Sequence, residues 1–415
     1  MPFPSLGLMP PLVHAAGEVG YFSPTPIQQS AIPAILRGQD VLGLAQTGSG
    51  KTAAFSLPLL QRWAQAPRHR SRRSVHTLVL VPTRELAAQV GETLRLLALR
   101  LHERPKIAVL FGGVSINPQM MGLRGGADIV VATPGRLIDL QDHNAIKLGT
   151  VQALVLDEAD RLLDLGFAEE LQRILASLPG ERQNLFFSAT FAPAVETLAG
   201  LLLRDPLRIE VEATETTEPD IAQRAIEVDA SRRTQLLRHL LQEQKWPRVL
   251  AFVATKHGAE VVADKLRKHG IAAEPFHGML GQGKRSQVVA DFKASRLQVV
   301  VATDLAARGL DIAQLPVVVN FDLPRSASDY VHRIGRTGRA GESGLALSFI
   351  PAGSEAHFRL IEKRQGLHVP RERIAGFEPV ESAAPQPADA GTGGVKGKRP
   401  SKKDKLRAAA ARASA

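Results

Sequence analysis

Short, largely apolar runs recur along the chain at Val41–Ala45, Leu78–Val81, Ile129–Ala132, Ala153–Leu156, Leu185–Phe187, Arg248–Val253, Val299–Ala302 and Val317–Asn320. None alternates between apolar and polar positions. A strand with one wetted face alternates, whereas a strand buried on both faces reads as a continuous apolar run. Between them lie stretches with helical spacing of apolar residues, among them Glu85–Leu97 and Ala168–Ala176. Strands alternating with helices predict parallel sheets covered by helices on both sides, an α/β fold.

The pattern breaks at Val211–Asp220, VEATETTEPD, which is acidic, polar and carries a proline. It reads as a linker between two domain-sized blocks, 1–210 and 221–379. Beyond Pro379 the composition shifts to Ala, Pro, Gly and Lys, so 380–415 is expected to be a disordered tail. Charge sharpens this division. Lys and Arg number 52 against 41 Asp and Glu, a formal net of +11. Eight basic residues and one Asp lie in Gly391–Ala415, so +7 belongs to the tail and only +4 to the rest. A basic surplus points to a polyanion, either nucleic acid or an acidic membrane surface. The chain has no cysteine, which excludes a disulfide framework, a thiolate zinc site and thiol chemistry. The first residues, MPFPSLGLMPPLVHAAG, lack a basic region followed by an apolar core and cleavage site. No run approaches the ~18–20 apolar residues of a membrane span. A soluble, cytoplasmic protein is expected.

Two segments carry chemistry. The strand Val41–Ala45 runs into Ala45-Gln46-Thr47-Gly48-Ser49-Gly50-Lys51-Thr52, with a helix expected from Ala53. Gly48 and Gly50 let successive backbone N–H groups curl around one anion, and the helix adds its positive N-terminus. Lys51 can reach the β- and γ-phosphates of a nucleotide, and Thr52 can hold Mg²⁺. Ala45 stands where the general phosphate-loop pattern has glycine. The strand Ala153–Leu156 ends in Asp157-Glu158-Ala159-Asp160. Asp157 suits a Mg²⁺ contact, and Glu158 suits the group that orients and deprotonates an attacking water. Taken alone, such acidic residues are weak evidence, since they also suit a helix N-terminal cap; after an apolar strand about 105 residues beyond Lys51 they point to this chemistry.

These two motifs together resemble the DEAD-box RNA helicases of superfamily 2. The remaining motifs of that family follow in order: GYFSPTPIQ at Gly20–Gln28 with Phe3 upstream, PTRELA at Pro82–Ala87, FGG at Phe111–Gly113, TPGR at Thr133–Arg136, and SAT at Ser188–Thr190. HGMLGQGKR at His277–Arg285, ATDLAARGLDI at Ala302–Ile312 and YVHRIGRTGR at Tyr330–Arg339 complete the set. The stretches FGGVSINPQMM and IEKRQGL…IAGFEP further resemble the bacterial RhlE-like subgroup. The resemblance implies two tandem RecA-like domains, a short linker, and ATP with Mg²⁺ as ligands. It implies that Gln28 reads the adenine edge, with Tyr21 and Phe3 offering apolar contact, and that Asp311 binds the ribose.

Arg336 and Arg339 lie three apart, on one face if helical, and both guanidiniums suit a γ-phosphate. By resemblance they are arginine fingers on ATP held by the first domain. Ser188, Thr190 and His332 would couple the acidic motif to the second domain. Arg84, Gly113, Thr133, Arg136, Arg285, Thr303 and Gly309 would contact the RNA backbone and sugars, which carry no base sequence. A processive DNA translocase and a non-catalytic RNA clamp are the competing readings. The Q motif, PTRELA and SAT speak against the first, and retention of Lys51, Glu158, Arg336 and Arg339 against the second. Proteins of ribosome assembly or RNA decay are compatible partners, and the sequence identifies none of them.

Overall fold

The computed structural model describes residues 2–45, 48–66, 73–211, 221–307, 315–338 and 343–381. The apolar runs assemble into two seven-stranded sheets. The first contains β1 (Val41–Leu44), β2 (Thr77–Leu80), β3 (Ile107–Leu110), β4 (Ile129–Ala132), β5 (Ala153–Leu156), β6 (Gln183–Ser188) and β7 (Leu207–Glu210). Their spatial order is β3-β4-β2-β5-β6-β1-β7. The second contains β8 (Ile221–Glu227), β9 (Val249–Val253), β10 (Ala273–Phe276), β11 (Val299–Thr303), β12 (Val317–Asn320), β13 (Gly344–Ile350) and β14 (Arg371–Glu372). Its order is β10-β11-β9-β12-β13-β8-β14. Counted from its own first strand, the second sheet repeats the order of the first. Every strand pair is parallel. These are two tandem RecA-like domains.

Parallel pairing forces each connection to cross back over a sheet face, and the crossing helices bury both faces. In the run Leu78–Val81, Leu78 and Leu80 enter one core while Val79 and Val81 enter the other. In β11, Val299 and Val301 face one side and Val300 and Ala302 the other. This is why neither run alternates in polarity.

Six strands escaped the apolar-run reading. β3, β7 and β14 are at or next to sheet edges, where a partly wetted strand tolerates charge, as in Leu207-Arg208-Ile209-Glu210. β8 reads IAQRAIE, β10 contains Pro275, and β13 contains Ser348, which accepts a hydrogen bond from Asn320 on β12. Side-chain pairing of this kind hides a buried strand from a hydrophobicity scan. The helix after the phosphate loop begins at Lys51, two residues before the expected Ala53.

Of the expected linker, Val211 continues β7 by donating to Leu44 O, while 212–220 lies outside the described residues. The tail boundary needs correction. Residues 380 and 381 are held, because Val380 N donates to Asp229 Oδ1 (3.0 Å) and Glu381 N to the same oxygen (2.9 Å). The expected disordered segment from 382 onward lies outside the described residues. No helix among the described residues is long and apolar enough to cross a membrane.

Candidate functional site

In an open parallel sheet, ligands gather beyond the C-terminal ends of the strands, where the loops converge. β1 sits between β6 and β7, with Val41 opposite both Leu185 and Leu207, so the loop after it leaves from the sheet interior. Ala45 N donates to Ser188 O (3.0 Å), tying the start of the phosphate loop to the end of β6. Gly48 and Gly50 take φ values of 88° and 93°, which favour glycine. A Cβ on Gly50 would fall 2.4 Å from Gln28 Nε2, so this position excludes a side chain on two grounds. Lys51 is buried and donates from Nζ to Ala45 O at 2.7 Å, curling back over the loop. Ser49 Oγ is buried without a hydrogen-bond partner. Thr52, half-buried, stands one residue on in the helix Lys51–Gln65. Gln46 and Thr47 lie outside the described residues.

Gln28 sits in the helix Pro26–Leu36, 3% exposed. Its Oε1 accepts from Thr25 N (3.0 Å), and its Nε2 donates to Gly50 O (3.0 Å). The amide thus braces the phosphate loop, and both its ends are engaged. Tyr21 is partly buried against the first core. Phe3 is inside that core at 3% exposure, so the expectation that it faces a base is corrected: it anchors the N-terminal segment.

The acidic turn follows β5. Asp157 is buried and accepts from Glu158 N (3.0 Å). Burial pushes its carboxyl up to about 6, against the pull of Lys51. Glu158 is buried in the left-handed region (φ 51°, ψ 52°), an uncommon conformation for a side-chain-bearing residue. Its Oε2 has no hydrogen-bond partner and lies 3.5 Å from Arg161 Nε. Asp160 Oδ2 accepts from Thr190 Oγ1 (3.1 Å), and Ser188 Oγ donates to Thr190 O (2.8 Å). The end of β6 and the acidic turn are therefore one hydrogen-bonded unit.

The second domain reaches this unit through the helix Ala327–Ile334 and the turn after it. Burial pushes His332 down to about 4, and Arg161 of the first domain pushes the same way against the pull of Asp160, so the ring lies within electrostatic reach of the acidic turn. Arg336 contributes to the same depression, which places it beside His332. Arg339 and Asp311 lie outside the described residues. Arg333 went unnoticed in the sequence. It is buried, donates from Nε and Nη2 to the two oxygens of Asp304 (2.6 and 2.7 Å), and lies 4.9 Å over the Phe252 ring. The only signal was its place beside His332.

A cavity of about 340 Å³ opens between the domains, lined in part by Arg84, Thr133, Gly112, Gly278 and Leu305. Gly113 takes φ 76°, and a Cβ there would fall 2.6 Å from Arg84 Nη1, so the glycine makes room for that guanidinium. Thr133 stands at the N-cap position of the helix Pro134–Asp142, where its side chain makes no capping hydrogen bond. From that helix Arg136 Nη2 donates to Val114 O (2.6 Å), leaving Nε and Nη1 buried without hydrogen bonds. Nε lies 3.6 Å from Asp139 Oδ2, and the unbonded Nη1 on this buried guanidinium suits an anion. Thr303 ends β11, while Gly309 lies outside the described residues. Arg285 differs from expectation: at 3% exposure it is spent on protein, pairing with Glu85 of the first domain.

The second sheet repeats the topology but not this chemistry. β8 is the counterpart of β1, yet the chain after it reads Val228-Asp229-Ala230-Ser231, without glycine or lysine. The buried Asp229 carboxylate takes the N–H groups of Val380 and Glu381 there. An anion at that position repels phosphate.

One domain with a phosphate loop and acidic turn, facing a second that presents arginines, defines a nucleoside triphosphatase of the two-domain helicase class. Residues 25–198 match the DEAD/DEAH box helicase family, and residues 232–341 match the helicase conserved C-terminal domain. The DEAD-box ATP-dependent RNA helicase CshA of Bacillus cereus is 41% identical over 361 residues, 87% of this chain and 67% of that protein. The ATP-dependent RNA helicase DeaD of Mycobacterium tuberculosis is 41% identical over 364 residues, 87% of this chain and 63% of its own length. S. cerevisiae Dbp5 bound to RNA and ADP BeF3 superposes with a TM-score of 0.77 at 30% identity, covering 90% of this chain and 95% of that one. The chain belongs to the DEAD-box ATP-dependent RNA helicase family.

Proposed function

We propose that this helicase closes two domains, 1–210 and 221–379, around ATP and a single RNA strand, and reopens when the γ-phosphate is lost. The observation that carries this reading is the contact between the domains: Arg285 pairs with Glu85, Arg84 Nη2 donates to Gly278 O, and residues of both domains line one cavity. The likeness to Dbp5 holding RNA and ADP BeF3 extends over both domains and supports the same arrangement.

In this reading the backbone N–H groups from Ala45 to Thr52 cradle the phosphates, and Lys51 leaves Ala45 O to meet the β- and γ-phosphates. The donor set fits Mg²⁺, since Thr52 supplies a hydroxyl and Asp157 a buried carboxylate whose raised pKa a cation would relieve. When bound, Mg²⁺ neutralises phosphate charge that develops during transfer. Glu158 takes the proton of the attacking water on its carboxylate, whose Oε2 bears no hydrogen bond and lies 3.5 Å from Arg161 Nε. Arg336, with Arg339, stabilises negative charge in the transition state. Gln28 holds Gly50 with one Nε2 hydrogen and turns its second hydrogen and the free Oε1 lone pair to adenine, with Tyr21 alongside and Asp311 on the ribose. Ser188, Thr190 and His332 transmit the state of the γ-phosphate between domains.

Arg84, Gly113, Thr133, Arg136, Thr303 and Gly309 contact RNA through phosphate and sugar, so sequence preference from the core is weak. Unwinding is local: a bent strand in the clamp cannot stay paired. FGGVSINPQMM supports a RhlE-like placement within the family, and a cytoplasmic location fits the absence of cysteine. The test compares ATP turnover and duplex separation by the full chain with RNA and with DNA of the same sequence. Stimulation by RNA alone is expected, and equal stimulation by DNA overturns the reading.

A further inference from the structure

Arg285 and Glu85 stand 200 residues apart, on different domains. Glu85 is the second residue of the helix Arg84–Leu97, and Arg285 lies on the helix Gln282–Lys293. Arg285 Nε donates to Glu85 Oε1 at 2.6 Å, and Nη2 lies 2.5 Å from the same oxygen. Their side chains are 3% and 12% exposed. Within its own domain Arg285 is held twice more. Nη1 donates to His277 O (2.9 Å), and the guanidinium lies 4.4 Å over the Phe276 ring. The arginine is thus fixed in the second domain, with its remaining donors aimed across the interface. Three of its five N–H groups are spent this way, and the Glu85 carboxylate offsets its charge, which weakens its hold on phosphate. Beside it, Arg84 makes only a long contact across the interface, Nη2 to Gly278 O at 3.4 Å, and lines the cavity between the domains.

The two consecutive residues therefore have opposite dispositions toward RNA. Arg84 attracts phosphate. Glu85, one residue on at the same helix start, repels it whenever its charge is bare. Closure buries that carboxylate against Arg285 and removes the repulsion. Opening exposes it again.

We propose that Glu85 and Arg285 form an electrostatic gate: Glu85 weakens RNA binding to the open protein, and its pairing with Arg285 on closure lifts that penalty and holds the domains together. Arg285 is a positioning residue rather than an RNA ligand. The proposal rests on the closing clamp inferred above. It makes the coupling between nucleotide and RNA a property of one charge pair.

The experiment measures the affinity of the full chain for a labelled oligouridylate, without nucleotide and with a non-hydrolysable ATP analogue. The coupling is the ratio of the two dissociation constants. Glu85→Gln is expected to tighten nucleotide-free binding relative to wild type, unchanged binding overturning the gate, and to lower the coupling by about tenfold or more, since a buried arginine loses its counter-charge. Arg285→Gln should lower the coupling similarly, and the double variant should lose no more than either single, as for residues acting as one pair. Additive losses overturn the proposal. So does Glu85→Gln coupling within about twofold of wild type, or Arg285→Gln binding weakened equally with and without the analogue, which would make Arg285 an RNA ligand. A wild-type ratio near one removes the clamp itself, an outcome distinct from failure of the gate.

Discussion

Glu158 stands in a left-handed backbone conformation, buried, with one carboxylate oxygen bearing no hydrogen bond. Both features cost free energy in a resting protein, and a group that must accept a proton from water has a use for them. Replacing Glu158 with Gln keeps shape and volume but removes the base. Hydrolysis should fall by about 10²–10⁴ while ATP still binds, with RNA retained longer in the presence of ATP. Turnover within a few-fold of wild type in a single-turnover assay would exclude Glu158 as the base. His332 offers a test of a different kind. Its ring titrates at 6.5 when unperturbed and at about 4 in the folded chain. Between these values the unfolded chain binds the extra proton, so His332 lowers stability as pH falls through the window and contributes nothing above it. His332→Gln removes that loss. Relative to wild type, the variant should gain roughly 1 kcal/mol at pH 5 over its standing at pH 7.5, partial exposure reducing the full linkage. Paired thermal melts at the two pH values measure the difference, and an equal offset at both would show that the ring is not held neutral.

At the scale of elements, the phosphate loop depends on how tightly β1 packs between its neighbours. Gly43 faces Phe187, and a Cβ there would fall 2.6 Å from the ring. Phe187 in turn lies 5.6 Å from Phe55 in the helix that follows the loop, so the ring has little freedom to retreat. Gly43→Ala should destabilise the first domain by about 1–3 kcal/mol, the range for overpacking a filled core. The denaturation midpoint should drop, with ATP affinity falling alongside it because the displaced helix carries Lys51 and Thr52. An unchanged midpoint would mean that the ring moves freely. The strands of this element were legible as apolar runs because both faces are buried. β8, β10 and β13 were not, because Arg224, Pro275 and Ser348 interrupt the pattern, and Ser348 takes a hydrogen bond from Asn320 on the neighbouring strand.

For the whole molecule, two sheets of one topology divide the work: the first keeps the phosphate loop, and the second puts Asp229 where that loop would be. Eight basic residues lie in 391–415, and a charge run of this kind is expected to add non-specific attraction to RNA. If all met phosphates on a single strand, the log–log salt slope would carry about −5 to −6 from them; partial engagement of such a segment gives about −2 to −4. A chain ending at 381 should bind RNA more weakly at low salt, with a shallower slope, and hydrolyse ATP at nearly the same rate under saturating RNA. Superimposable salt curves would leave the segment without a role in RNA binding.

The linear order of residues determined the α/β class, the two-block organisation and the ATP-binding motifs, since each rests on local rules. Strand burial shows as apolar runs, a phosphate loop needs its glycines and lysine contiguous, and the acidic turn follows its strand directly. What depends on distant partners was settled by the tertiary structure. Phe3 became a core anchor because a pocket in the first core receives it. Gln28 became a brace on Gly50 because the helix Pro26–Leu36 packs beside the phosphate loop. Arg285 had every local mark of a phosphate ligand, and only the approach of Glu85 from the other domain spent its charge on protein. A guanidinium binds whichever anion the fold brings within reach, and that choice is made by geometry that no window of sequence contains.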